Sequence, residues 1–287
     1  MKAVLKKELR GYLTNMTGAV ALAVMLLVLG LMFRYYNLYY GVLTLRYTIS
    51  SSLLIFYIIV PVLSMRIFAE EKRQRTDQLL LTSPGSLLSI VMGKYLAELL
   101  IFVMPLLILC LCPLFMNAYG AEPLVWDYAC IFAFFLMGAA YLSVGMFISA
   151  CTESAIIAGV LSIVFVITTQ LLSSIFTIIS SSELGSLLFL LVLCVLAALL
   201  LYFMTKHYFI SLGMGAVLAL FCILGYYLKP DWFGGKTESV LRILDFSTHF
   251  EDFIAGSFSL SNAVFFLSYA VIGIVLTVQA LEKRRWS

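Results

Sequence analysis

The side chains best equipped for chemistry in this chain are few, and their spacing argues against most uses of them. His249, Glu251 and Asp252 could suggest a metal site or an acid–base pair, but the 287 residues include only two histidines and no second ligand cluster. Gly235-Lys236-Thr237 resembles the end of a phosphate-binding loop, yet Pro230 stands where the first glycine must be and no strand precedes it. Serines and threonines are abundant but lack a His or Lys partner that could activate a nucleophile. The six cysteines, Cys110, Cys112, Cys130, Cys151, Cys194 and Cys222, lie in or beside apolar runs without metal-site spacing, and act as small buried thiols. Glu98, one turn after Lys94, reads as half of an i,i+4 ion pair at a membrane boundary. Glu153 opens an apolar run, and Gln170, a polar amide well inside one, suits an interhelical hydrogen bond ahead of substrate contact. With no acid or histidine deep in a span there is no ion relay, and the chain is not expected to be an enzyme or to carry a metal or cofactor of its own.

The elements that position these residues are set by composition. Apolar residues make up 63% of the chain and charged ones 11%, against roughly 25% charged in a soluble domain. Eight stretches lack Asp, Glu, Lys and Arg: 11–33, 47–65, 99–121, 128–152, 154–182, 184–205, 207–228 and 253–281. Each is long enough to cross a bilayer, where the backbone must bond to itself as helix. They do not alternate as barrel strands would. The expected fold is therefore all-α, a single polytopic membrane domain over 1–287 with about eight transmembrane helices. Only Lys206 and His207 separate the sixth and seventh, so a hairpin dipping into the bilayer would give the same pattern. With both termini cytoplasmic, thirteen of the eighteen Lys and Arg residues fall on inward segments, which satisfies the positive-inside rule. Charges so dispersed make no nucleic-acid surface.

Three segments outside the spans carry pattern. Residues 1–13 place Met1, Val4, Leu5, Leu9, Tyr12 and Leu13 on one helical face and Lys2, Lys6, Lys7 and Arg10 on the other, as an interfacial helix would. The cytoplasmic connection 67–93 holds the densest mixed-charge run, Glu70-Glu71-Lys72-Arg73, with Arg75, Thr76, Leu79 and Leu80 following. Ser83 and Pro84 can start a helix whose Leu87, Leu88, Val91 and Tyr95 share a face. Charges beside a leucine cluster suit docking to a partner, and also suit a solvated loop that only sets topology. Outside, 229–262 forms an amphipathic segment in which Thr248 and Glu251 make a capping box. Its aromatics anchor an interface or, with Phe246, Phe250 and Phe253, gate an exit.

The run from Glu70 through Leu79-Leu80-Leu81-Thr82-Ser83-Pro84 to Gly93-Lys94-Tyr95-Leu96 resembles the cytoplasmic loop of ABC-2 type permeases of the gliding-motility branch. So does the segment from Ser247-Thr248-His249-Phe250-Glu251-Asp252-Phe253 to the closing Glu282-Lys283-Arg284-Arg285-Trp286. Where that family usually has Gly and Glu, this chain has Arg75 and Gln78. The resemblance implies a six-helix exporter core plus an extra pair, in the bacterial cytoplasmic membrane among its lipids. It implies that Glu70, Glu71, Lys72, Arg73, Arg75, Thr76, Leu79, Leu80 and Pro84 couple to an ABC ATPase subunit. Two ATPase copies, holding ATP and Mg, would serve two copies of this chain or a related permease, with an accessory membrane protein possible. The first, second and fifth spans would line a lumen between copies, kinked at Pro61 and Pro105, and suited to lipid-like, peptide or drug-like amphiphiles. A non-transporting scaffold or sensor that docks an ATPase would share the same loop.

Overall fold

The structure is a computed structural model that describes residues 1–76, 86–120, 124–179 and 245–286. Every regular element among them is helical, as the apolar runs require. The chain begins with α1 (Lys2–Thr14), breaks at extended Asn15, and continues as α2 (Met16–Phe33). A wider turn, Arg34–Tyr39, closed by a bond from Tyr40 N–H to the Tyr35 carbonyl, ends the first span. Then come α3 (Arg46–Ser51), a tight turn at Ser52–Ile55, α4 (Phe56–Ser64) and the short α5 (Ala69–Arg73). Next are α6 (Leu87–Leu109), α7 (Leu111–Asn117), α8 (Leu124–Cys151) and α9 (Ala155–Ile179). The described residues close with α10 (Phe246–Ile254) and α11 (Leu260–Trp286).

Six stretches among these residues are long and apolar enough to span: Met16–Tyr39, Arg46–Arg73, Leu87–Asn117, Val125–Cys151, Ala155–Leu172 and Leu260–Arg284. The protein is thus an all-helical polytopic membrane protein. The sixth and seventh expected spans, with Cys194, Cys222, Lys206, His207 and the Gly235-Lys236-Thr237 run, lie outside the described residues.

Several boundaries differ from expectation. The third span starts at Leu87, not at residue 99, because Lys94 and Glu98 are carried inside the helix and buried. The last ten residues of the expected connection thus belong largely to α6, and its cap is Ser86, whose hydroxyl accepts from Ser89 N–H at 3.4 Å. Leu87, Val91 and Tyr95 are buried while Leu88 points outward. The helix leading to the last span is capped by Asp245, not by Thr248. Asp245 Oδ1 accepts from the Ser247 and Thr248 N–H groups at 3.0 and 3.2 Å, and Oδ2 from the Thr248 hydroxyl at 2.6 Å. That helix ends at Gly256, and the last span begins separately at Leu260.

The fold comprises two compact units, Met1–Thr168 with His249–Ser287, and Thr169–Thr248. In the first, an aromatic centre fills the space between α4, α6 and α8. The Phe56 ring lies 4.7 Å from Phe134, 5.3 Å from Tyr141 and 6.1 Å from Phe102. Gly138 admits this packing, since a Cβ there would collide with the Phe102 ring. Gly273 of α11 likewise sits so close to α8 that a Cβ would lie 2.9 Å from the Ser143 carbonyl carbon. Pro61 and Pro105 stand inside α4 and α6, and α6 gives way to α7 at Cys110, about one turn beyond Pro105. In the described part of the second unit, the Ser247 hydroxyl donates to the Gln170 main-chain carbonyl at 3.0 Å, so this contact uses the backbone of Gln170.

Candidate functional site

The charged run between the second and third spans folds into α5, whose two faces differ. Its inward face is tied to the membrane helices. Ser149 of α8 accepts from the N–H groups of Phe68 and Ala69 at 3.2 and 3.1 Å and donates to the Met65 carbonyl at 3.1 Å. One hydroxyl thereby serves the main-chain groups that the turn between α4 and α5 leaves free. Lys72 is buried, and its ammonium donates to the Ala150 carbonyl at the end of α8. The outward face, Glu70, Arg73, Gln74, Arg75 and Thr76, is exposed.

The helix ends in a left-handed cap. Thr76 N–H bonds the Glu71 carbonyl at 3.0 Å and Arg75 N–H the Lys72 carbonyl at 3.1 Å, with Arg75 at φ +56°. This is the termination that glycine fulfils without strain, and a side chain there costs about 1–2 kcal/mol. The arginine standing where the resembled family usually has glycine therefore holds the glycine-type conformation.

Behind α5 lies a buried charge cluster built from three elements. Lys94 of α6, only 1% exposed, donates to the Ile67 carbonyl at 2.7 Å. Its ammonium also lies 2.7 Å from Glu71 Oε2 and 3.3 Å from Glu8 Oε1, and 4.7 Å from the centre of the Phe68 ring. Lys7 of α1 adds a second cation, 3.4 Å from Glu71 and 3.7 Å from Glu8. The expected Lys94–Glu98 pair is therefore not made. Glu98 is fully buried and neither of its oxygens meets a donor among the described residues. Tyr12 of α1 donates to the Leu63 carbonyl at 2.7 Å. Burial first, and the carboxyls of Glu98 and Glu8 next, hold its phenol well above its ordinary range. Gly93 lets α1 approach, with a Cβ at that position reaching 3.2 Å from Met1 O and Val4. Thus α1 packs against α6 through Val4 and Gly93, and has no fully buried residue of its own. A groove of about 570 Å³ between α1 and the α4–α5 turn is lined by Lys7, Tyr12, Arg66, Glu70 and Gln74.

The opposite end of the same unit is held by hydrogen bonds in which amide, hydroxyl and carboxylate groups take part. Asn37 donates to the Val42 and Thr44 carbonyls at 2.6 and 3.0 Å and accepts from the Thr48 hydroxyl at 2.6 Å. Asp127 Oδ1 accepts the Leu45 N–H at 2.9 Å. His249 pairs with Asn262 at 2.8 Å, and Asn262 donates to Asp252 at 2.7 Å, so two of the three residues that suggested a metal site are joined through an amide. Phe246, Phe250 and Phe253 are all buried. Phe250 meets Phe134 at 6.5 Å, and the Phe253 carbonyl accepts from the Cys130 thiol at 3.3 Å.

Of the residues singled out from sequence, Glu71 and Lys72 turn inward while Glu70, Arg73, Arg75 and Thr76 face out; Leu79, Leu80 and Pro84 lie outside the described residues. Sequence reasoning missed Ser149, Glu8, Asn37 and Asp127, and it assigned Lys94 and Glu98 only to each other. The costly charges at 94 and 98, so close to an apolar run, were the available signal.

The comparisons agree with this architecture. No curated protein matches the chain. The family model for the ABC-2 family transporter protein matches residues 32–186, from the end of the first span through α5 and the buried cluster's Glu71, Lys94 and Glu98 to the fifth span. Matched over more than half of its length, this multi-pass helical chain belongs to the ABC-2 family of transporter membrane proteins.

Proposed function

We propose that this chain is the permease subunit of an ATP-driven exporter, working as two copies with two ABC ATPase subunits in a bacterial cytoplasmic membrane. ATP and Mg belong to the ATPases; the permease supplies the path and receives the force. The observation that carries this reading is the two-faced α5. Its exposed face offers Glu70, Arg73 and Arg75 to a partner, while Ser149 and Ala150 of α8 and Lys94 of α6 hold its other face. A push on the outer face is thereby delivered to two spanning helices instead of being absorbed by a loose loop.

The aromatic centre fills the interior of the first unit, so a pathway is expected between copies. The outward apolar residues of the first, second and fifth spans, among them Leu27, Leu54 and Val160, are available to line it. Opening an exit at Phe250 and Phe253 would require α10 to leave its contacts with α8.

The test is a vesicle assay of the chain with its co-expressed ATPase. Glu70→Ala with Arg73→Ala is expected to leave ATP hydrolysis intact and lower transport per ATP by about tenfold, equivalent to about 1.4 kcal/mol of coupling. Undiminished transport in that variant removes the docking role. ATP-dependent binding without any flux of copurifying amphiphiles would favour the scaffold reading over export.

A further inference from the structure

Lys94 has three carboxyls around it, those of Glu71, Glu8 and Glu98, and is ion-paired with the first two. Its ammonium sits on Glu71 at 2.7 Å with Glu8 at 3.3 Å. One turn along the same helix, Glu98 is buried with both oxygens unbonded by described residues. Residues four apart on a helix are neighbours, about 5–6 Å between Cβ atoms, and the four-carbon lysine stem covers that span. Two hydroxyls near Glu98 are engaged elsewhere: Tyr12 donates to the Leu63 carbonyl at 2.7 Å and Tyr95 to the Ala139 carbonyl at 3.0 Å. A buried carboxyl without a donor is strongly unfavourable, and Lys94, one turn away on the same helix, is a cation that can relieve it.

We propose that Lys94 exchanges its partner between Glu71 and Glu98, and that this exchange makes and breaks the link between α5 and α6. With Lys94 on Glu71, α1, α5 and α6 are tied at one point. With Lys94 on Glu98, α6 satisfies its own carboxyl and the link to α5 is given up. Glu71 is not left bare in that state, because Lys7 already stands 3.4 Å from it. Lysine preceding glutamate is the weaker order for an i,i+4 pair, which accounts for Glu71 holding the ammonium in the state described. Glu98 and Lys94 are then positioning residues for the coupling step. Their use in transport rests on the proposed role of α5, whereas the exchange itself is a property of this chain alone.

A double-mutant cycle on the purified full-length chain in detergent, without any ATPase, tests the exchange. Were Lys94 fixed on Glu71, Glu98→Gln would remove an unfavourable carboxyl and leave Tm unchanged or raised, equally in wild type and in Glu71→Gln. Under exchange, Glu71→Gln sends Lys94 to Glu98, so adding Glu98→Gln lowers Tm by roughly 2–4 °C in that background while not lowering it in wild type. A change of the same sense and size in both backgrounds overturns the proposal. Should Glu71→Gln not be recovered as folded protein, Glu71→Asp, which leaves the carboxylate one methylene short of Lys94, takes its place with the same two outcomes. Because no ATPase is present, a positive cycle together with unimpaired transport in the Glu70/Arg73 variant would refute the docking role of α5 and leave the exchange standing.

Discussion

Two short helices, α5 and α10, sit at opposite ends of the larger unit and end in the same way, yet they are held by different forces. In α5 the closing bonds run from Thr76 to Glu71 and from Arg75 to Lys72; in α10 they run from Ser257 to Asp252 and from Gly256 to Phe253. The left-handed residue is Arg75 at φ +56° in one and Gly256 at φ +84° in the other. What lies behind them differs more. α5 is fastened by ammonium groups, carboxylates and one serine, whereas α10 meets the aromatic centre through Phe250 and buries Phe253 as well. Polar bonds are directional and can be traded for others within reach. Apolar burial has no alternative partner, so moving α10 means giving up area outright.

The comparison can be broken most forcefully at its two anchors. Lys94→Leu removes the cation from a buried pair and is expected to cost about 3–5 kcal/mol, read as a fall in thermal unfolding temperature in detergent. Much of this loss should be recovered when Glu71→Leu is added, because replacing both members of such a pair by apolar residues is often close to neutral. Phe250→Ala is expected to cost about 3–5 kcal/mol by leaving a cavity beside Phe134, and no polar substitution should recover it. Recovery of both variants, or of neither, would erase the distinction between the two ends. A smaller effect, about 1–3 kcal/mol, is expected for Asn37→Ala, which leaves the Val42 and Thr44 carbonyls without their donor. The smallest changes lie at the helix ends and have opposite signs. Arg75→Gly should raise stability by about 1 kcal/mol and Gly256→Ala lower it by about 1–2 kcal/mol, since only glycine takes that backbone region freely. Equal signs in the two variants would show that the caps are not governed by backbone strain.

Much of the scaffold was legible because the bilayer leaves the backbone no partner but itself. Charge-free runs 47–65, 128–152 and 154–182 became the helices from Arg46 to Ser64, Leu124–Cys151 and Ala155–Ile179. The same rule failed at α6, where excluding charged residues delayed the span to residue 99 although the helix begins at Leu87. A lysine at 94 inside an apolar helix is tolerable only with an anion supplied from elsewhere in the chain, and Glu71 and Glu8 supply it from α5 and α1. Nothing local announces such a partner. The exposed face of α5 was visible as a charged run, but its division into an outward Glu70 and an inward Glu71 depends on where Lys94 and Ser149 lie.

By itself, then, the sequence determined that the chain is a helical membrane protein with a charged connection after the second span. Hydropathy and hydrogen-bond satisfaction act along the chain and need no knowledge of neighbours. Only the tertiary structure decided which charges are anchors and which stay exposed, and that Lys94 pairs with Glu71 and Glu8 in preference to Glu98 one turn away. Those outcomes turn on distances of a few ångströms between residues tens of positions apart, where Coulomb attraction and desolvation nearly balance and geometry settles the sign.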